Sequence, residues 1–463
     1  MIWPQTNLAY LAAVAEKAGM TVDIVDCIAE EISWPQYEEI IGECKPRFCV
    51  GNIISATYEN DVRALKRAKE ISGAVIVGMG PHITDSPARS LKEAKDLEFV
   101  ICHEAEGTLE ELLSLYKKSE KPTVSELKEV KGLGFVPARI DEKESDKPFI
   151  AEQRPFVNLD ELPRPRHDLL PLHRYWAPFL GNYSFVQASR GCTYRCIFCR
   201  QAVMWQWQYR RRSGKKVAEE ALYVHSLGVE TILFHADTFT LNRELVEELC
   251  DTLIEAGTPF RWACNAHVAS LVGKGDLLQK MRRAGCWMIA IGVESGDDEI
   301  LKTIKKGCTV AQAKEVVEMV DKAGIEAWGY FVLGFPGDTL ETMERTAQFS
   351  RSLPLKIAKF DIAAPYPGTE FHQFVKEKNY LKFDKYEDFD QNASAVVEYP
   401  DLSRAQIKKA VKWATIRFYL RPMSILRLIR EALRFRSLTT GIRIVFDFMR
   451  MLAGVKRSGA PAR

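Results

Sequence analysis

A chain of 463 residues exceeds what one hydrophobic core supports and predicts two or three domains. Its 46% apolar and 27% charged residues are those of an ordinary globular protein, and with no secretory signal and no long apolar run it is expected to be cytoplasmic, without a spanning helix. The net charge of +2 hides an asymmetry: residues 404–463 carry fifteen Lys or Arg against two acids, a segment of +13, which leaves −11 for the rest.

In chain order, residues 1–140 alternate short apolar runs with helical patterns. "TVDIVD" (21–26), "FCVGNI" (48–53), "AVIVGMG" (74–80) and "EFVIC" (98–102) predict buried parallel strands, and "YENDVRALKRAKEIS" (58–72) predicts a helix between two of them. This is the rhythm of a doubly wound sheet. The chain opens on a loop and a helix with no strand before them, which predicts a sheet lacking its first strand or a true start upstream. Residues 141–180 are rich in charge and proline and predict an extended linker. From 181 to 380 the rhythm returns, with strands near 184–189, 231–235, 260–264, 287–293, 327–333 and 357–363. Six strand–helix repeats predict a partial (β/α)6 barrel, whose chemistry belongs at the C-terminal ends of its strands. Residues 381–463 predict a basic, helical C-terminal region.

The first barrel strand runs into "SRGCTYRCIFCRQ" (189–201), which places Cys192, Cys196 and Cys199 at C-x3-C-x2-C spacing. Eleven cysteines, an odd number without an export signal, argue against a disulfide framework and for metal or redox use of a subset. A structural zinc site wants four ligands, and the fourth would have to come from distant Cys250, Cys264, Cys286, Cys308 or a histidine. A [4Fe–4S] cluster held by three thiolates leaves its fourth iron open to a substrate, and a loop this short can wrap three corners of a cubane. The open iron can chelate the amino and carboxylate groups of S-adenosylmethionine (SAM).

The loop resembles that of radical SAM enzymes, and the companions follow in the same order. "FHADTFT" (234–240), with Asp237, resembles the strand-two motif of that family's cobalamin-associated branch. "GVESG" (292–296) resembles the strand-four motif, which implies that Glu294 and Ser295 reach SAM. "GYFVLGFPGDT" (329–339), with Gly334 and Pro336, resembles the fifth strand and its loop, and "APYPGTEF" (364–371) the end of the sixth. Phe198, before the last cysteine, sits where the family has an aromatic residue, which implies adenine contact. The resemblance covers residues 1 to about 380 and points to the cobalamin-binding-domain class, near the anaerobic magnesium-protoporphyrin monomethyl ester cyclase and the hopanoid- and tetraether-lipid-modifying enzymes. It implies a cobalamin-binding-type sheet before a radical SAM barrel. It also implies the chemistry: a reduced cluster passes an electron to SAM, and the resulting 5′-deoxyadenosyl radical abstracts hydrogen from an unactivated C–H bond. Taken singly, Asp237 could instead cap the helix of "LNRELVEELC", Glu294 could be a satisfied strand-end acid, and "GFPG" could be a plain turn.

Cobalamin binding through a protein imidazole would use a D-x-H-x-x-G loop before the first helix, and residues 1–7 do not supply one. Gly78, Gly80 and Gly107 would let backbone approach a corrin or its nucleotide tail. "HEAEGT" (103–108) resembles the family's G-E-G-E-x-T, with His103 and Ala105 in place of glycines. Cobalamin is therefore expected without an axial histidine from this chain, and His82 reads as a loop hydrogen-bonder. "MWQWQYRRRS" (204–213) offers aromatics for core or for a pocket wall, and Arg210, Arg211 and Arg212 as a solvated run or a partner for the SAM carboxylate.

The tail at 413–452 is basic, aromatic and amphipathic. It reads as a helical cap on the barrel, a contact with the anionic inner face of a membrane, or a nucleic-acid contact, the last not expected. The expected function is a radical SAM enzyme that cyclises, rearranges or couples a hydrophobic substrate, a lipid or tetrapyrrole, fed by an electron donor such as flavodoxin or ferredoxin. The alternatives are a cobalamin-dependent radical SAM C-methyltransferase and a non-enzymatic cobalamin or metal sensor with a structural metal site. A methylthiotransferase fits less well, because no N-terminal cysteine triad or C-terminal RNA-binding barrel is evident.

Overall fold

The computed structural model describes residues 2–177, 179–382, 395–422 and 424. The chain gathers into two compact units: Met1–Cys192, Arg200–Ala236 and Glu255–Arg261 in the first, Thr193–Cys199, Asp237–Ile254 and Trp262–Arg463 in the second.

The first unit opens with α1 (Thr6–Lys17), α2 (Trp34–Cys44), β1 (Phe48–Asn52), α3 (Tyr58–Ser72), β2 (Val75–Met79), α4 (Pro81–Asp85), α5 (Pro87–Glu93), β3 (Phe99–Ile101), α6 (Glu106–Lys118), α7 (Val124–Lys128), β4 (Leu133–Phe135) and β5 (Phe149–Ile150). The sheet order is β1-β2-β3-β4-β5; the first three strands are parallel, and β4 and β5 are antiparallel additions. Successive side chains of a strand point to opposite faces, and the core divides accordingly. Val77 and Phe99 pack with Leu11 of α1 and Leu109 and Leu112 of α6. Their neighbours Ile76 and Val100 pack with Ile41 of α2, Leu65 of α3 and Leu91 of α5. Helices cover both faces, as the βαβ rhythm predicts.

The strand expected over 21–26 does not form; these residues stay outside the ladder. Aspartates there divert backbone donors to side chains: Ile24 N donates to Asp23 Oδ1 at 2.8 Å and Ala29 N to Asp26 Oδ1 at 3.0 Å. The Tyr175 hydroxyl donates to Asp26 Oδ2 at 2.8 Å, so the segment is held as irregular chain that leads into a turn at 27–31.

The same unit continues with β6 (Trp176–Ala177), β7 (Gly181–Gln187), β8 (Ser189–Arg190), α8 (Gln201–Trp205), β9 (Arg210–Arg211), α9 (Gly214–Ser226) and β10 (Thr231–His235). β7 pairs parallel with β10 and antiparallel with the short β6. The second unit holds α10 (Arg243–Glu255) up to Ile254, β11 (Arg261–His267) from Trp262, α11 (Val268–Leu271), α12 (Gly275–Arg283), β12 (Cys286–Glu294), α13 (Asp298–Thr303), α14 (Val310–Lys322), β13 (Glu326–Leu333), α15 (Leu340–Ser352), β14 (Ile357–Ile362), α16 (Glu370–Glu377) and α17 (Arg404–Tyr419). Here β11, β12, β13 and β14 pair in parallel in that order. The six barrel strands expected from the sequence form within a few residues of their predicted ends, and the architecture is a doubly wound sheet followed by a partial (β/α)6 barrel.

The start of the C-terminal region is part of the second unit's packing. Phe418 of α17 is fully buried, with its ring centroid 6.4 Å from that of Phe360 in β14. Arg421 donates to the carbonyls of Arg351, Leu353 and Leu355 at 3.0–3.2 Å, satisfying acceptors at the C-terminal end of α15. Within the tail at 413–452, residues 413–421 pack in this way, in line with the cap reading. The rest of the expected basic region, 425–463, lies outside the described residues, as do residues 383–394. Among the described residues no helix is long and apolar enough to cross a membrane.

Candidate cluster and cofactor site

The cysteine loop begins where β8 ends. Gly191 has φ +86°, and a Cβ there would stand 1.7 Å from the Gln208 carbonyl oxygen, so the loop can enter only through glycine. Cys192 and Cys196 are buried and Cys199 is half-buried. The far part of the loop is bolted to its unit through backbone: Ile197 N donates to the Ile304 carbonyl at 3.1 Å, and Phe371 N donates to the Ile197 carbonyl at 3.0 Å. Cys199 N closes a turn on the Cys196 carbonyl at 3.1 Å. The thiols are thus presented by a loop of fixed backbone, which suits the residues to a cubane. Among the described residues no three His, Cys, Asp or Glu, the three loop cysteines included, stand gathered around one point as the ligands of a single ion would.

Phe198 packs on Phe335 of the "GFPG" turn, with ring centroids 5.0 Å apart. That turn is held by a residue the sequence reading did not single out. Asp338 Oδ2 accepts from Gly334 N at 2.8 Å and Phe335 N at 2.9 Å, while Oδ1 accepts from the Thr342 hydroxyl at 2.7 Å. Burial raises the Asp338 carboxyl above its ordinary pKa, and these donors pull it partly back. Gly334, at φ +94°, clears Ile407 of α17, and Pro336 is buried beside it in sequence.

Glu294, at the end of β12, takes φ +65°, an uncommon conformation for a residue with a side chain and the kind of strain that collects at functional sites. Its Oε1 accepts from the buried Lys306 ammonium at 2.8 Å. Burial alone would lower the Lys306 pKa, but the Glu294 and Cys196 charges outweigh it and raise the group well above its ordinary value. A Cβ at Gly292 would stand 2.6 Å from Glu294 Oε1 and 2.9 Å from Lys306 Nζ, so that glycine makes room for the pair. Lys306 lies twelve residues beyond Glu294 without a local motif to announce it, and only the fold makes it visible. Ser295 Oγ lies 3.2 Å from Thr346 Oγ1 and accepts from Asp297 N at 3.2 Å. The Asp237 carbonyl accepts from Thr238 Oγ1 at 2.9 Å and from Asn265 Nδ2 at 3.4 Å. Asp237 is not the cap of α10; Asn242 accepts from Leu245 N at 2.8 Å in that place.

In the first unit, Gly80 follows β2 at φ +111°, where a Cβ would meet Asn52 Oδ1 at 2.5 Å and the Ile53 carbonyl at 2.7 Å. Asn52 Oδ1 is buried and has no hydrogen-bond partner. An unsatisfied acceptor beside a bare backbone, at the C-terminal edge of parallel strands, fits a bound group with donors of its own, as cobalamin has. Gly78 and Gly107 face the chain itself: a Cβ would meet Ile53 and Leu97 at Gly78 and Arg154 at Gly107. His82 is buried against Tyr58, ring centroids 4.2 Å apart, with Nδ1 3.2 Å from Ser55 Oγ. Burial, with Arg200 adding to it, pushes its pKa down to about 4.

Arg210 and Arg212 are not solvated charges. Arg212 Nη1 donates to Glu220 Oε2 at 2.7 Å and to the Tyr10 hydroxyl at 3.1 Å. Arg210 donates to Glu104 Oε2 at 3.0 Å, and its guanidinium lies 4.4 Å from the Phe156 ring centroid.

A doubly wound sheet, a partial barrel and a loop of three thiols after its first strand define an iron–sulfur enzyme of the radical type. The comparisons agree. Residues 186–350 match the radical SAM superfamily, and residues 1–113 match the B12 binding domain. An uncharacterized methyltransferase of Pyrococcus horikoshii is 32% identical over 92% of this chain and 90% of its own. The anaerobic magnesium-protoporphyrin IX monomethyl ester cyclase of Cereibacter sphaeroides is 26% identical over 90% of this chain and 67% of its own. Among solved structures, the cobalamin-dependent SAM radical enzyme OxsB with aqua-cobalamin and SAM bound aligns with a TM-score of 0.75 at 17% identity, over 97% of this chain and 69% of that one, a likeness of fold. The chain belongs to the radical SAM superfamily, in the class that carries a B12-binding domain. It is an enzyme whose cofactors are a [4Fe–4S] cluster, SAM and cobalamin.

Proposed function

We propose that the chain is a cobalamin-dependent radical SAM C-methyltransferase acting on an unactivated carbon of a hydrophobic substrate, a lipid or tetrapyrrole. The observation that carries this reading is the relative named a methyltransferase, which aligns over 92% of this chain, both domains included. It puts the methyltransferase alternative ahead of cyclisation, rearrangement or coupling. When bound, the cluster supplies the electron that cleaves SAM and cobalamin supplies a methyl carrier. Cys192, Cys196 and Cys199 hold the cluster. Glu294, held by Lys306, and Ser295 meet SAM beside it, and Phe198, packed on Phe335, walls the adenine. Gly334, Pro336 and Asp237 complete the cofactor side, and the loops carrying Gly80 and Asn52 receive cobalamin without a histidine ligand from this chain. Gly78 and Gly107 support those loops from within. A flavodoxin or ferredoxin supplies electrons, and residues 425–463, with nine cations against two acids, bring the enzyme to anionic membrane.

The test is an anaerobic incubation of the reconstituted chain with hydroxocobalamin, a low-potential reductant, SAM labelled in its methyl group, and lipid and pigment extracts. Label in an extracted product supports methyl transfer. SAM cleavage with an unlabelled, hydrogen-poor or rearranged product returns the cyclase reading, which the relative from Cereibacter sphaeroides keeps in view.

A further inference from the structure

Two arginines bracket the cysteine loop in the sequence: Arg190 stands two residues before Cys192, and Arg200 directly follows Cys199. Both reach the N-terminal sheet. Arg190 Nη1 donates to Glu104 Oε1 at 2.8 Å and Nη2 to Glu106 Oε1 at 2.5 Å. Arg200 Nη2 donates to the Pro81 carbonyl at 3.1 Å and to the Asp85 carboxylate. Glu104 and Glu106 follow β3, whereas Pro81 and Asp85 belong to α4, after β2. The two loops are themselves tied, since His103 N donates to Thr84 Oγ1 at 2.9 Å. His103 Nδ1 also lies 3.2 Å from the Met204 carbonyl of α8, the helix that follows the cysteine loop.

These carboxylates are buried, with side-chain exposures of 3% for Asp85, 5% for Glu104 and 7% for Glu106. A buried ion pair contributes little net stability, because desolvation offsets the attraction. What it supplies is directional: charge-assisted bonds fix one segment against another. The segments fixed here are the two ends of the cysteine loop and the loops at the C-terminal ends of β2 and β3. That edge is where a doubly wound sheet receives its ligand, and it carries Gly80 and the unpartnered Asn52 Oδ1.

We propose that Asp85 and the Glu104–Glu106 pair are positioning residues that hold both ends of the cysteine loop, through Arg200 and Arg190, on the loops that receive cobalamin, so that corrinoid binding and order in the cluster loop are coupled. The proposal rests on the cobalamin reading of the N-terminal sheet. Coupling of this kind is reciprocal: whatever factor the assembled cluster adds to corrinoid affinity, bound corrinoid returns to the cluster.

The experiment measures the affinity of the full chain for hydroxocobalamin, anaerobically, once stripped of iron and once reconstituted with iron and sulfide. Cluster assembly should tighten binding about fivefold or more in the natural chain. Asp85→Asn and Glu106→Gln should bring that ratio toward one while iron and sulfide content stay full, and Arg200→Lys should keep part of it. Where a buried carboxylate variant fails to fold, Thr84→Val, which breaks only the tie between the two loops, must still lower the ratio. A ratio of one in the natural chain overturns the coupling and leaves the cobalamin site standing. An unchanged ratio in the variants assigns the ion pairs to folding alone and also overturns it. Absence of hydroxocobalamin binding in the reconstituted chain overturns the cobalamin reading, and this proposal with it.

Discussion

At Gly191 the backbone is left-handed and the Gln208 carbonyl already occupies the place of a side chain. Gly191→Ala must therefore displace either the loop or the segment that carries Gln208. We expect iron and sulfide per chain to fall severalfold in the reconstituted variant, while far-ultraviolet circular dichroism stays that of the natural chain. Alanine at Cys192, Cys196 or Cys199 should abolish reductive SAM cleavage, because losing one thiolate loses the cluster. Serine at Cys27, Cys44 or Cys49 should leave cluster content unchanged. Full 5′-deoxyadenosine production by any of the first three, or iron loss in any of the last three, would show that the cluster sits elsewhere. His82 carries a pH signature. Its folded pKa is depressed to about 4 by burial, below the ordinary 6.5, so the folded state holds it neutral and the unfolded state takes up the proton first. Its share of stability is present above pH 6.5 and lost as pH falls toward 4. The midpoint of thermal unfolding should drop across that window, and His82→Gln should flatten the drop.

Short segments were the least legible at the scale of elements. "TVDIVD" has the β-branched residues of a strand, but Asp23 and Asp26 offer its backbone local partners, and it stays outside the ladder. The antiparallel β4 and β5 are three and two residues long, too short to stand out by pattern. The "GFPG" turn shows the opposite case, where composition announces a turn and the fold supplies its fastening. Removing the carboxylate in Asp338→Ala leaves Gly334 N and Phe335 N without their buried acceptor. This should cost about 1–3 kcal/mol of stability by chemical denaturation. It should also weaken SAM binding, measured by equilibrium dialysis, more than hydroxocobalamin binding. Equal weakening of both would separate the turn from the SAM side.

For the whole molecule, the tail divides in two. Residues 404–421 are packed, with Ile407 against Gly334 and Arg421 on the carbonyls that end α15. Truncation after Asp401 should therefore expose apolar surface and give an aggregating protein, detected by light scattering. Truncation after Ser424 should leave cluster assembly and SAM cleavage near the natural level. It removes nine cations and two acids, each cation near an anionic surface being worth roughly 1 kcal/mol. Binding to anionic vesicles should fall steeply, and added salt should reproduce much of the loss in the intact chain. Equal vesicle binding before and after truncation at Ser424 would remove the membrane from the account of the substrate.

Local spacing was enough for whatever is local in chemistry. Three thiols within eight residues, the order of the barrel strands and the charge of the tail could be read directly, because each depends on neighbours along the chain. The partners of those features could not. Lys306 meets Glu294, and Glu104, Glu106 and Asp85 take the arginines around the cysteines. The charges of Arg210 and Arg212 looked solvated and are instead spent in buried or half-buried pairs. Such bonds join residues up to 115 positions apart, and a long-range ion pair leaves no period or spacing in the chain. Their partners are decided only when strands and helices bring distant segments together and burial makes an unpaired charge too costly to leave.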